Sequence, residues 1–598
     1  AVSNQVGVPG MYPVDERLQK LFAVDMLERL GIAEHFTEEI AVALRHVYSS
    51  WTSLQQEPPL DHKREGQSNH IARQLYEDAL AFRLLRMHGY GVSPGKVCWF
   101  LHDEATKLHI ERNYGYYLSA MLNVHRATHL AFSGEDELEE AESFSRKLLQ
   151  KGALLPRNSE DGVVIFMDFQ RQVEVELEIP WLARMEHLEH RRHVEDASIH
   201  ALWVAKASLY KFSCFDDSDV LRLAAENFTV RQLTYRDELE EMKRWSKDLG
   251  LSSIGFGREK TSYIYFSAAV SSHLPLISEV RKVITKCAVL VTVADDFYDT
   301  EGELDELHNL TEAVKRWEGK DLSGHSRVIF NALHCLVEDL VLKYTNRHGH
   351  DLTEMLRNSW RETFGSWLKE AKWSRTRHAP TVDEYMKVGM ISIAIQAMIL
   401  PACYLQSSWL PKNRQTEPHY EELTTHLMVL ARLLNDLQSY EKENKEGKLN
   451  MVMLLKDGGS ALDIDDSAAS VNRLVDVRKK EFLELALMDG GTIGDIPREW
   501  KTIHLLCLKA FQMFFNGENA FDSPTALLRS IGMAIYDPLK LDWPSNLSGD
   551  LEKKVVEEEN VDVTDWFIRK GTDCYQGRSS ASRLRVPVTW LDQLMAQL

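Results

Sequence analysis

The 598-residue chain is too long for a single core and implies two or three domains. Its 44% hydrophobic content is that of a globular protein and excludes a largely disordered one. A formal net charge of −20, with pI ≈ 5.6, argues against nucleic acid or an anionic membrane surface as the main partner. An anionic substrate would therefore need a local basic patch or bound cations. The seven cysteines are odd in number and widely scattered, which favours reduced thiols over a disulfide framework or a zinc site. No run of 18 apolar residues occurs, so no membrane span is expected. The first residue is Ala, and "AVSNQVGVPG" lacks a signal peptide's apolar core, so the numbered chain reads as a mature or trimmed form.

Along the chain, helical spacing dominates. "DMLERLGIAEHFTEEIAVALRHVYSSW" repeats apolar residues at three and four, and similar patterns recur from about residue 75 into the 540s. The best strand candidate, "DGVVIFMDF" (161–169), is short. A boundary falls near 205–220, where "KFSCFDDSDVLRLAAENF" supplies capping residues ahead of a new amphipathic helix. "DDSD" is a helix start, since carboxylates favour helix N-termini. The reading is all-α, with helical units over 1–210 and 211–545, and an unassigned charged tail over 546–598.

The third element of note is "SEVRKVITKCAVLVTVADDFYDT", a buried helix ending in acid. At 1.5 Å rise per residue, Asp295 and Asp299 lie one turn apart, roughly 6 Å along one face. Like charges at that spacing repel unless a divalent cation sits between them, and hard oxygen ligands suit Mg²⁺. Downstream, "LMVLARLLNDLQSYEKENKEGK" stacks Asn435, Ser439 and Glu443 at i, i+4 and i+8 on one stripe. An amide oxygen, a hydroxyl and a carboxylate can together hold one Mg²⁺. Arg258 lies 37 positions before Asp295, and Arg432 three before Asn435. Singly each would pass for a surface arginine; beside two acidic motifs they look like a diphosphate clamp.

These residues resemble the plant class I terpene synthases. "DDFYD" matches that family's DDxxD, "NDLQSYEKE" its second metal motif, and Arg258 and Arg432 its diphosphate-binding arginines. The resemblance covers about 12–545 and is nearest to the kaurene synthase-like diterpene synthases, through "YPVDERLQKLFAVDMLERLGIAEHF" and "LYEDALAFRLLRMHGY". It implies a C-terminal α domain binding three Mg²⁺ (Mn²⁺ a possible substitute) and a prenyl diphosphate, preceded by a helical β domain, with plastid localisation and the cytoplasm as alternative.

Two departures from the family pattern carry information. Where class II cyclases place their DxDD acids, this chain has Gln74, Leu75, Tyr76 and Glu77, and a phenol is far too weak an acid to protonate an alkene. Glu77 and Asp78 then read as surface acids. In "VGMISIAIQAMILPACYL", Gln396 and Ala397 stand where a Gly-Pro-like pair breaks the kaurene synthase helix, so a continuous helix is expected, with Ile393 and Ala397 beside the pocket. Tyr263, Tyr265, Phe266 and Phe297 are aromatic pocket candidates by position, and "FFNGENAFDSP" (514–524) a closing loop. The implied activity is ionisation of copalyl diphosphate, supplied by a separate class II diterpene cyclase, followed by ring closure. A sesquiterpene synthase acting on farnesyl diphosphate and a catalytically silent helical scaffold remain the alternatives.

Overall fold

The computed structural model describes residues 16–53, 67–154, 167–196, 217–256, 260–271, 277–407, 418–457, 463–489 and 496–541. The boundary expected near 210, the tail 546–598 and Arg258 lie outside the described residues. No strand occurs among the described residues; the end of the strand candidate, 167–169, opens a helix instead.

The main N-terminal helices are α1 (Glu16–Arg29), α2 (Thr37–Ser53), α3 (Gln67–Met87), α4 (Tyr114–Thr128), α5 (Asp136–Ala153), α6 (Met167–Glu178) and α7 (Glu186–Asp196), with shorter helical pieces, Glu104–Arg112 among them, in between. Their core centres on α3 and α4, which are buried on nearly every face: Leu75, Leu80, Phe82 and Leu84 pack against Tyr117, Met121 and Val124. Burying each such side chain contributes roughly 1.5–3 kcal/mol.

The C-terminal set follows: α8 (Asp217–Asp248), α9 (Thr261–Val270), α10 (Ser278–Asp296), α11 (Leu304–Arg316), α12 (Gly324–His348), α13 (Thr353–Thr376), α14 (Val382–Ser392), α15 (Ile395–Gln406), α16 (Pro418–Glu446), α17 (Met451–Asp457), α18 (Ile464–Leu487) and α19 (Arg498–Phe514). Its second core is built around α10, whose residues from Val289 to Ala294 are all buried. A buried ion pair holds three of these helices together. Arg281 Nε on α10 donates to Glu238 Oε2 on α8 at 2.9 Å, and the Tyr265 hydroxyl on α9 donates to the same oxygen at 2.7 Å. Removing one partner of such a pair costs about 3–5 kcal/mol.

The two cores are latched at defined points. Arg191 on α7 donates to the carbonyls of Met533, Asp537 and Pro538 at 2.5, 2.6 and 2.5 Å. Lys509 Nζ on α19 meets Glu186 Oε1 on α7 at 2.5 Å. Gly89 sits at φ +86, and its carbonyl accepts from the Asp489 N–H at 3.1 Å.

The expected surface acids are not on the surface. Glu77 and Asp78 are each 7% exposed, and Arg17 lies 3.2 Å from the first and 3.5 Å from the second. Burial pushes the Asp78 carboxyl up to about 7 despite that arginine. Both acids lie on α3, which packs against α1 as well as α4, so two helices cover the face that a pattern read from one helix leaves open.

The continuous helix expected over 388–405 is instead parts of two, α14 and α15, meeting at 42°. The joint is Ala394 at φ +61, a left-handed conformation for a residue with a Cβ, three residues before Ala397. Trp367 on α13 stabilises the break: its Nε1–H donates to the freed Ser392 carbonyl at 2.8 Å.

Candidate active site

A cavity of about 470 Å³ opens at the ends of α10 and α16. Its depth is apolar, formed by Ile264, Ala268, Ile284, Ala288 and Val291, and its mouth carries the acidic motifs.

One wall is the end of α10. Asp295 and Asp299 both line the cavity, as does Asp296. The regular helix stops at Asp296, and Phe297–Glu301 continues as a π turn, closed by the Gly302 N–H donating to the Phe297 carbonyl at 2.8 Å. Asp299 is therefore offset from Asp295 by a widened turn, where sequence spacing predicts a plain α-helical one. Such turns interrupt α-helices frequently at functional sites.

The opposite wall is α16, whose apolar face, Leu423, Leu427, Leu430 and Leu434, is buried in the core. That burial turns Asn435, Ser439 and Glu443 toward the cavity, with Arg432 one turn behind. Ser439 Oγ donates to the Asn435 carbonyl at 2.8 Å, leaving its lone pairs for another partner. Glu443 Oε2 accepts from Asn450 Nδ2 at 2.7 Å. Burial, reinforced by Asp436 nearby, pushes the Glu443 carboxyl up to about 7. A carboxylate that is costly to charge by itself fits a position completed by a cation. Asp436, the second letter of the motif, is fully buried and does not line the cavity.

The donor set is hard oxygen throughout, which suits Mg²⁺. Among the described residues no three His, Cys, Asp or Glu side chains converge on one point to hold an ion unaided. Each wall offers only one to three donors, so water and a bound anion's oxygens would have to complete the coordination. That fits Mg²⁺, which keeps several waters and bridges to phosphates.

The aromatic lining differs from the sequence reading. Tyr263, Tyr265, Phe266 and Phe297 are buried at 0–5% exposure and pack into the core without lining the cavity; Ala397 is likewise in the core. Ile393 does line it. On α9 the cavity-facing residues are Ile264, Ser267 and Ala268, one step around the helix from the aromatic ones. The aromatic wall comes from Phe256, Tyr298, Phe511, Phe514, Phe515 and Phe521. The last three belong to or adjoin the 514–524 segment, whose clustered phenylalanines are the signal that could have marked them. That segment is tied down: Lys442 on α16 meets Asp522 at 2.9 Å, and Lys260 Nζ donates to the Ser523 carbonyl at 3.1 Å.

Residues 1–177 match the family model described as "Terpene synthase, N-terminal domain", and residues 247–481 match "Terpene synthase family, metal binding domain". The ent-kaur-16-ene synthase of Oryza sativa subsp. japonica is 31% identical over 542 residues, covering 89% of this chain and 68% of that protein. The chain belongs to the terpene synthase family. Within it, similarity is higher to the (E,E)-geranyllinalool synthase of Arabidopsis thaliana (42% over 535 residues, 90% of this chain) and the S-linalool synthase of Clarkia breweri (43% over 534 residues, 89%). The chain spans 58% and 60% of the lengths of those two proteins. Among solved structures of the family, abietadiene synthase from Abies grandis shares the fold at a TM-score of 0.73 and 24% identity, over 88% of this chain and 68% of that one. Isoprene synthase from grey poplar, solved with three Mg²⁺ ions and dimethylallyl-S-thiolodiphosphate, matches at 0.70 and 25% identity, over 90% and 95%. The metal-binding region of the terpene synthase family thus includes both acidic walls of the cavity.

Proposed function

We propose that this chain is a class I terpene synthase that ionises an acyclic prenyl diphosphate and captures water to give an acyclic tertiary allylic alcohol. The observation that carries the reading is the pairing of a two-walled acidic mouth with an apolar cavity, in a chain 42–43% identical to proteins named for such alcohols.

Asp295 and Asp299 on one side, and Asn435, Ser439 and Glu443 on the other, would hold Mg²⁺, three ions by analogy with the isoprene synthase complex, or Mn²⁺ in its place. Bound there, the metal supplies Lewis-acid stabilisation of the departing diphosphate. Arg432 adds a permanent positive charge on the α16 side. The C–O bond breaks heterolytically, and the electron pair leaves with diphosphate. The allylic cation lies between apolar side chains and the ring faces of Phe256, Tyr298 and Phe514, which offer π density and no nucleophile. Water entering from the polar mouth then forms a C–O bond at the tertiary allylic carbon, and its proton passes to diphosphate. Tyr76 supplies no acid for a protonation-started route, a phenol being a weak acid that burial weakens further, to about 12.

A second reading, cyclisation of copalyl diphosphate from a separate class II cyclase in the plastid, is favoured by relatives such as the rice ent-kaurene synthase, named as chloroplastic. Incubation of the purified protein and Mg²⁺ with geranyl, farnesyl, geranylgeranyl and copalyl diphosphates, analysed by gas chromatography, separates the two. An alcohol from an acyclic substrate is the expected result. A polycyclic hydrocarbon from copalyl diphosphate alone establishes the second reading, and no turnover of any substrate overturns both.

A further inference from the structure

Arg432 is held on three sides by groups other than Asn435, Ser439 and Glu443. Its Nε lies 2.9 Å from the Tyr385 hydroxyl and 3.0 Å from Asp436 Oδ1, and its Nη2 also donates to Tyr385. The Nη1 end makes only 3.5 Å contacts, to Ser392 Oγ and Glu370 Oε1. One edge of the guanidinium is thus committed and the other end is loosely engaged at the cavity wall, where Arg432, Glu370, Tyr385 and Ser392 all lie.

Asp436 anchors the committed edge. It is wholly buried, and its Oδ2 accepts from the Tyr385 hydroxyl at 2.8 Å and the Met451 N–H at 3.1 Å. Its own carbonyl accepts from Asn450 Nδ2 at 3.0 Å, the amide that also holds Glu443. Space for the arginine is reserved on α14: a Cβ added at Gly389 would lie 3.3 Å from Arg432 Nε and 3.4 Å from its Cδ and Cγ.

We infer that Asp436, with Tyr385 as relay, is a positioning residue that aims the Nη1 end of Arg432 at the substrate's diphosphate and takes no part in metal ligation. This rests on the reading of Arg432 as a diphosphate ligand. A buried acid fixed by a backbone N–H is a rigid counter-charge, and a guanidinium held along one edge loses little rotamer freedom when its other end binds.

The test is calorimetric titration of the full chain with inorganic pyrophosphate in the presence of Mg²⁺. Asp436→Asn keeps the shape of the side chain and removes its charge, and is expected to weaken pyrophosphate binding about tenfold or more. Tyr385→Phe is expected to fall between it and the wild type. In an Arg432→Gln background, Asp436→Asn should produce no further loss; a generally loosened fold would add its loss in either background. Gly389→Ala, which crowds Arg432 and leaves Asp436 untouched, carries the same expectation and the same cycle if Asp436→Asn fails to fold. Wild-type affinity in these variants, or losses that add to that of Arg432→Gln, overturns the positioning role. Failure of the wild-type protein to bind pyrophosphate with Mg²⁺ overturns the underlying reading of the site instead.

Discussion

Lys448 Nζ stands 3.1 Å from Asp299 Oδ2, so a lysine from the segment after α16 neutralises a carboxylate at the end of α10 and bridges the two acidic walls. Glu446 holds the same lysine at 3.2 Å, and these acids raise its pKa well above the ordinary lysine value although burial opposes the rise. The lysine occupies the charge position that a metal ion would take on Asp299. Lys448→Gln is therefore expected to tighten binding of Mg²⁺ or Mn²⁺ alone by up to about fivefold, the range of an exposed ion pair worth about 1 kcal/mol or less. Titration calorimetry without substrate measures it; weaker metal binding in the variant contradicts the competition.

Asp295→Ala should abolish turnover of whichever diphosphate the wild type accepts, with a loss of at least about 10³-fold, while leaving the melting temperature within a few degrees. Chelation by EDTA should do the same reversibly. Activity near the wild-type level in either experiment removes metal from the role assigned to the α10 wall.

Incubated with geranylgeranyl diphosphate and Mg²⁺, the protein should yield no copalyl diphosphate, because Tyr76 holds the position of the missing acid. Phosphatase treatment followed by a search for copalol is the measurement, and its detection refutes the prediction. Tyr76→Asp is not expected to create the activity, since Tyr76 is 6% exposed and packed in the N-terminal core.

Acid should destabilise the fold through buried histidines. His187 is 1% exposed and its ring stacks on Phe228 with centroids 4.2 Å apart. Burial, with Arg231 nearby, lowers its pKa to about 3. A folded-state value below the unfolded one gives stability that is full above about pH 6.5 and is lost as pH falls toward 3. His187→Phe keeps the stacking and removes the titration. Its stability relative to the wild type should rise by about 2 kcal/mol between pH 7 and pH 5, read from urea unfolding at each pH. An unchanged difference refutes the assignment.

Gly89→Ala should loosen the joint between the two cores. The residue needs φ +86, and a Cβ there would sit 2.3 Å from Asp489 Oδ2 and 2.6 Å from its Cγ. A cost of about 1–3 kcal/mol follows from strain and displacement of that contact, visible as a lower melting temperature or an earlier separate transition. A melting curve that superimposes on the wild type contradicts it.

The sequence by itself determined the helical class and both acidic walls. Those signals are local: apolar spacing of three and four persists over whole helices, and Asn435, Ser439 and Glu443 share a stripe by helical geometry alone. Tertiary structure decided what local spacing does not encode. Which face of α9 meets the cavity depends on what packs behind it, so the aromatic residues chosen by position lie in the core while Phe511, Phe514 and Phe521 form the wall. Glu77 and Asp78 are buried because α1 and α4 cover α3 from two directions. The break at Ala394 carries no Gly or Pro to announce it; it exists because Trp367, 25 residues away in sequence, satisfies the carbonyl that the break exposes. The inward turn of Asp436 has the same origin. A motif lists residues along one helix, whereas the partners that separate a metal ligand from a positioning group, Tyr385 and Met451, arrive from two other helices.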